Sequence, residues 1–257
     1  MPLSGAQWVA FDDSWRRAEA EDDCHAVAGD IRLADTMEGL RRMLGDGPSR
    51  AYLSYMANRL RECWRVLSST GSIYLHCGPT MSHCLKVLMG GTFQCSRFQN
   101  EFIWYYSGGG ASTTRWARKH DVILFYSKGK TWAFNADAVR VPYGWAKGQR
   151  RADGSVRDYR KGKLADDVWQ HNGLMPWSKE KIGLDIQKSL ALLQRIISAS
   201  RNIRDTVLDP FCGCGTTAHA SQNLGRRWIE IDVSASIWRV IEKRLGTAVR
   251  KSSTVAA

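Results

Sequence analysis

No stretch of this chain is apolar for long enough to cross a bilayer; none approaches the ~18 residues that suggest a spanning helix. The amino-terminal MPLSGAQWVAFDDSW lacks the basic-then-apolar pattern of a signal peptide, so a cytoplasmic home is expected. Cysteine never occurs as a C-x-x-C pair. The seven residues Cys24, Cys63, Cys77, Cys84, Cys95, Cys212 and Cys214 are odd in number and scattered, the pattern of free thiols in a reducing compartment. The one-residue gap in Cys212-Gly213-Cys214 is too short for the usual zinc spacing, and no His or Cys cluster complements it, so no metal is expected. Also missing is the Gly-Lys-Ser/Thr string of a P-loop. The dinucleotide fingerprint G-x-G-x-x-G fails at its third glycine, where Ala218 stands. Internal repeats are absent.

What is present is positive charge. The 257 residues carry a formal net charge of +12, which favours polyanionic partners, nucleic acid or an anionic surface, over a neutral small molecule. Residues 1–48 read as polar and irregular. From Arg50 to Leu67 apolar residues recur at three- and four-residue steps, an amphipathic helix. SIYLHC (72–77) and TVLD (206–209) read as buried strands, NEFIWYY (100–106) and DVILFYS (121–127) as two more. Further helices are expected over 81–91, 187–200 and 234–245. The intervening 128–180 is rich in Lys, Arg, Gly and Trp and has no clear period. Strands separated by helices argue for an α/β domain with a largely parallel sheet.

The richest segment is TVLDPFCGCGTTAHASQNLGRRWIEID, 206–232. It has the form strand, glycine turn, helix, second strand. Asp209 stands at the carboxyl end of the first strand, where ligands bind in open α/β sheets. Pro210 and Phe211 shape the exit, and Gly213 and Gly215 let the backbone approach a ligand closely. Thr216 and Thr217 can start the helix. Asp232, ending the second strand, can accept hydrogen bonds from the two hydroxyls of a ribose.

DPFCGCGTT followed by GRRWIEIDVS resembles the S-adenosylmethionine-binding motif of DNA amino-methyltransferases, enzymes that methylate the exocyclic nitrogen of adenine or cytosine. EKIGLDIQKSLALLQRII resembles the family segment that precedes that motif, and RAYLSYMANRLRECWRVLSSTGSIYLHCGPT, NEFIWYY and ARKHDVILFYSKG resemble its other segments, in the order of the beta-type arrangement. The resemblance implies a Rossmann-like S-adenosylmethionine-dependent methyltransferase fold with permuted motifs. It implies a catalytic half at 1–130, a basic target-recognition lobe at 131–175, a cofactor-binding half at 176–250 and a tail at 251–257. Cofactor contacts would come from Asp209, Pro210, Phe211, Gly213, Gly215, Thr216, Asp232, Gln187 and Lys188. Double-stranded DNA would be met by a basic belt of Arg115, Arg118, Lys119, Lys147, Arg150, Arg151, Arg157, Arg160 and Lys161. Relatives are often dimers, so a homodimer is implied too; no membrane association is.

The chain departs from the family in one respect that bears on chemistry. The catalytic Asp/Asn/Ser-Pro-Pro-aromatic string is absent: the six prolines are all isolated. The resemblance places that string before WVAFDDSW, so an amino-terminal truncation is expected, with the central sheet short of one strand and the strands at 72 and 206 each short of a neighbour. Gly78 stands where the family often has Asp, and Asp185, Ile186 and Ser189 replace parts of a Pro-Thr-Gln-Lys-Pro frame from which Gln187 and Lys188 remain. The expected activity is site-specific DNA methylation at adenine N6 or cytosine N4. The alternative is a non-catalytic DNA-binding remnant or partner subunit.

Overall fold

The fold is taken from a computed structural model, which describes residues 29–108, 111–143, 152, 161–171, 173–174, 177–182, 187–234 and 237–246. The chain divides into two compact units. One comprises 13–133 with 166–172; the other comprises 1–12, 134–165 and 173–257.

In the first unit the first described element is α1 (Ile31–Leu44), inside the region expected to be irregular. The correction has a simple basis. Leu33, Met37 and Leu40 fall at four- and three-residue steps on one face and are buried, although charged residues surround them in sequence. Asp30 caps the helix by accepting a hydrogen bond from the Leu33 amide, 3.2 Å, and Gly45 closes it at φ +72°. Pro48 then starts α2 (Pro48–Val66), its fixed φ suiting the first helical turn. β1 (Ser72–Cys77) leads through α3 (Ser82–Phe93) to β2 (Phe98–Tyr105) and β3 (His120–Ser127). Gly91 lets α1 lie close on α3, since a Cβ there would stand 2.4 Å from Thr36 Oγ1.

These strands form a four-stranded sheet of order β1-β3-β2-β4 with β4 (Val168–Gln170), a strand within the stretch read as irregular; three residues are too few to show a period. β3 is antiparallel to both β1 and β2, whereas β2 and β4 are parallel. The expected largely parallel sheet is therefore corrected here to a mixed one. The hairpin return from β2 inserts β3 between two strands that run the same way. On one face Val122, Leu124 and Tyr126 pack with Leu53, Leu60, Leu85, Leu88, Met89 and Phe93 of the helices. On the other face Tyr74 stacks on Phe125 at 4.4 Å and Phe102 meets Trp169 at 4.6 Å. Buried on both faces, β3 reads as a continuous apolar run.

The second unit contains α4 (Leu190–Ser200), β5 (Thr206–Asp209), α5 (Thr216–Asn223), β6 (Arg227–Glu230) and α6 (Ile237–Leu245). β5 and β6 are parallel, pairing Thr206 with Arg227 through Asp209 with Glu230, and α5 is their crossover. α4 starts later than expected because Ser189, not Gln187, is its cap; the Ser189 hydroxyl accepts from the Leu192 amide. Cys212, Cys214 and Ala218 pack against Ile237, Ile241 and Leu245 of α6.

Neither TVLD nor SIYLHC is the buried strand expected. In β5, Leu208 is 37% exposed, and Ile229 in the adjoining strand is 52% exposed. In β1 only the end residues Ser72 and Cys77 are buried. The reason is pairing. Among the described residues β5 has one neighbour, β6, and β1 has one, β3. An edge strand keeps backbone groups and one flank of its side chains in solvent. No helix among the described residues is long and apolar enough to cross a membrane.

Candidate functional site around the glycine turn

The turn between β5 and α5 is held from below by two carboxylates, Asp209 at the end of β5 and Asp232 two residues beyond the end of β6. Asp209 Oδ1 accepts from the Phe211 amide at 3.0 Å, and its Oδ2 accepts from the Thr217 hydroxyl at 2.6 Å. Asp232 Oδ2 accepts from the Gly213 amide at 3.0 Å, and its Oδ1 accepts from the Ser234 amide at 2.8 Å. Burial pushes the Asp209 carboxyl up, against the lowering effect of the Thr217 and Phe211 hydrogen bonds. Each oxygen keeps a lone pair for a further donor. Phe211 is exposed at the lip of the turn.

The two glycines act differently. Gly213 has φ +48° and nothing within 4 Å of where a Cβ would stand, so space remains above it. Gly215 has φ +69° and no such room: a Cβ there would lie 2.8 Å from Ile241 Cγ1. A left-handed Ala costs about 1–2 kcal/mol, and overpacking costs about 1–3 kcal/mol more. Gly215→Ala is therefore expected to lower stability by about 2–5 kcal/mol, and Gly213→Ala by about 1–2 kcal/mol. Urea midpoints measure both; equal losses would show that the Ile241 contact is immaterial.

Thr216, expected to touch a cofactor, turns its side chain inward: its Oγ1 accepts from Arg244 Nη1 at 2.9 Å. The buried Arg244 guanidinium also bonds the Cys214 carbonyl at 3.3 Å and His219 Nδ1 at 3.2 Å, and reaches Glu180 at 3.5 Å. Gln187 spans its own loop. Its amide oxygen accepts from the Ile182 amide at 3.0 Å and its amide nitrogen donates to the Glu180 carbonyl at 2.7 Å. Lys188 adjoins it in the chain at the start of α4.

Sequence reasoning missed three contributors: Thr217 as a side-chain partner of Asp209, Arg244 as a clamp under the turn, and Glu230. Glu230 pairs in register with Asp209 and is 8% exposed. Among the described residues neither of its carboxyl oxygens has a hydrogen-bond partner. Burial first, then the neighbouring Asp209, pushes its carboxyl up to about 9. Cys212 is buried beside these acids, which together with burial hold its thiol protonated. A strand-end acid could have been noticed, but nothing local signals that its oxygens are unpaired.

The basic belt is only partly described. Arg115, Arg118 and Lys119 lie on the exposed connection between β2 and β3, in the first unit. Arg118 Nη1 donates to Thr80 Oγ1 at 2.9 Å and Lys119 Nζ to the Gly108 carbonyl at 3.0 Å. Ser112 Oγ accepts from the amides of Thr114 and Arg115, both at 3.3 Å, shaping the bend. Trp116 between them is 96% exposed. Lys161 is exposed in the second unit; Lys147, Arg150, Arg151, Arg157 and Arg160 lie outside the described residues.

A sequence profile for DNA methylases matches residues 45–243 of this chain. The type II methyltransferase M.HpaI of Haemophilus parainfluenzae is 34% identical over 197 residues, covering 76% of this chain and 59% of that protein. M.BglII of Bacillus subtilis, also a type II methyltransferase, is 28% identical over 191 residues, covering 70% and 52%. The chain thus spans between half and three fifths of the length of these relatives. The crystal structure of an M1.HpyAVI–SAM complex superposes with a TM-score of 0.55 at 23% identity, covering 74% of this chain and 82% of that one, a likeness of fold.

Proposed function

Since this chain belongs to the family of DNA methylases, we propose that it binds S-adenosylmethionine at the glycine turn and serves methyl transfer to the exocyclic amino group of adenine (N6) or cytosine (N4) in double-stranded DNA. The observation that carries the reading is the pair of carboxylates, Asp209 at the end of β5 and Asp232 just beyond the parallel β6, beneath a turn with open space over Gly213. The residues fit the group. Asp232 suits the ribose hydroxyls, Phe211 and Pro210 give an apolar lip, and the acids favour a cationic ligand. When bound, the cofactor supplies an electrophilic methyl on a sulfonium. The chain's own work is to position it, to keep the site acidic and to hold DNA against it. Gln187 and Lys188 are the remaining proposed cofactor-side residues, and the lobe at 131–175 the proposed target-recognition region.

Incubating the purified chain with methyl-labelled S-adenosylmethionine and unmethylated duplex DNA, then analysing nucleosides, tests the activity and identifies the base. Labelled N6-methyladenine or N4-methylcytosine is expected. Label in neither base, with binding intact, favours the second reading, a partner that binds cofactor and DNA without turnover. Two observations support that reading: no two prolines are adjacent anywhere in the chain, and β5 has a neighbour on one side only among the described residues. A cytoplasmic location and a homodimer are the expected setting, and sedimentation reads the latter.

For DNA contact the β2–β3 connection is the proposed contributor from the first unit, because an exposed indole between arginines can stack on a base while the cations meet phosphates. Trp116→Ala should weaken duplex binding about tenfold with little change in salt slope, and Arg115→Ala should reduce the slope by about one. Fluorescence anisotropy across a salt series measures both; unchanged affinity in both variants would remove this loop from the interface.

A further inference from the structure

Glu230 has no place in the hydrogen-bonding scheme of the turn, yet it lies enclosed beneath it. It is 8% exposed and both carboxyl oxygens lack a partner among the described residues, which is costly for any buried polar group. Its register partner is Asp209, so the two side chains share one face of the sheet. The groups acting on it are Asp209 from β5, Cys212 from the turn, Asp232 beyond β6 and the Ala218 amide of α5; the thiol and the amide lie near without meeting hydrogen-bond geometry. None of these is a cation. The titratable and charged groups of the packed helices are committed elsewhere: His219 of α5 to Arg244, and Arg244 of α6 to Cys214, Thr216, His219 and Glu180. The acids do not form a metal site, because among the described residues no three His, Cys, Asp or Glu side chains converge as ligands.

A buried acid acted on by two further acids, with no counter-charge beside it among the described residues, is what a cationic ligand would complete. Building on the cofactor reading above, we infer that Glu230 is a third acidic group of the cofactor site, which releases its proton when the sulfonium cofactor binds and so favours that cofactor over its neutral thioether product. In the empty site the carboxyl holds its proton at neutral pH, because burial first, and the neighbouring Asp209 next, oppose its ionisation. A bound positive charge reverses the balance: the O–H bond breaks, the proton passes to the buffer and the carboxylate remains, its charge offset by that of the cofactor. Affinity for S-adenosylmethionine then rises with pH up to about 9, where the free carboxyl has already ionised. S-adenosylhomocysteine has no sulfonium charge and draws out less of the proton.

Calorimetric titration of the full chain with S-adenosylmethionine, in buffers of differing ionisation enthalpy, counts the protons directly. The wild-type chain should release close to one proton near pH 7.5, and its affinity should rise about five- to tenfold per pH unit between pH 7 and 8.5. Glu230→Gln should release less than a third as many. Its preference for S-adenosylmethionine over S-adenosylhomocysteine should fall about tenfold or more. The cofactor's own α-amino group, with an ordinary value of about 8, contributes equally to both proteins and cancels in the comparison. Equal proton release by the two proteins would overturn the inference, and so would none from wild type, a result that needs no variant to fold. Absence of any binding by the wild-type chain would instead overturn the cofactor reading, and this inference with it.

Discussion

Glu230→Gln is expected to stabilise the chain at pH 8 by about 3–5 kcal/mol and to remove most of its loss of stability in mild alkali. The size follows from the shift in the buried carboxyl, from an ordinary 4.5 to about 9, at about 1.4 kcal/mol per pKa unit. The direction follows from proton counting. Between 4.5 and 9 the folded chain keeps a proton that the unfolded chain releases, so stability is present at low pH and falls as pH rises through that window. Asp209, raised for the same reason of burial, adds to the fall. His219 acts in the opposite sense. Burial and Arg244 hold its imidazole below 6.5, so the fold loses stability as pH drops through that ordinary value. The wild-type chain should be most stable between about pH 5 and 6.5, and the variant should keep the acid limb and only the part of the alkaline fall that comes from Asp209. Urea unfolding at pH 5.5, 7 and 8.5 measures this; an alkaline fall undiminished in the variant would show that Glu230 is not its source.

Arg244→Ala is expected to cost about 2–4 kcal/mol of stability and to loosen the glycine turn from α6. The guanidinium spreads its donors over the Cys214 carbonyl, Thr216 Oγ1, His219 Nδ1 and Glu180. Removing it leaves acceptors without a donor and Glu180 without its cation, while the first residues of α5 lose the contact that holds them down. Lysine carries the charge but not the planar fork, so Arg244→Lys should recover less than half of the loss. Urea midpoints for the three proteins decide. A lysine variant as stable as wild type would mean that charge alone matters and that the four-way geometry does not.

Why some elements were legible and others not follows from the range of the interactions that make them. α2, α3, β2 and β3 carry strong apolar periods or runs and sit close to where the pattern puts them. α1 has the same kind of stripe in Leu33, Met37 and Leu40, but flanking charges hid three apolar positions that packing against α2 and α3 rewards. β4 is three residues long and exists because the β2 edge was available to pair with it. TVLD is apolar enough to be buried but is half-exposed, because burial needs a second neighbour and β5 has one among the described residues.

The sequence by itself determined the strand–turn–helix–strand unit, the acids at both strand ends and the family to which they belong. Those features are local: left-handed dihedrals at Gly213 and Gly215 and carboxylates at strand ends are written within 27 consecutive residues. Only the tertiary structure decided what the side chains there do. It turned Thr216 inward to Arg244, joined Thr217 to Asp209, and set Glu230 beneath the turn with neither oxygen satisfied. These depend on which groups burial brings together and which it leaves unpaired. The same string of residues would be compatible with other outcomes if α6 packed differently.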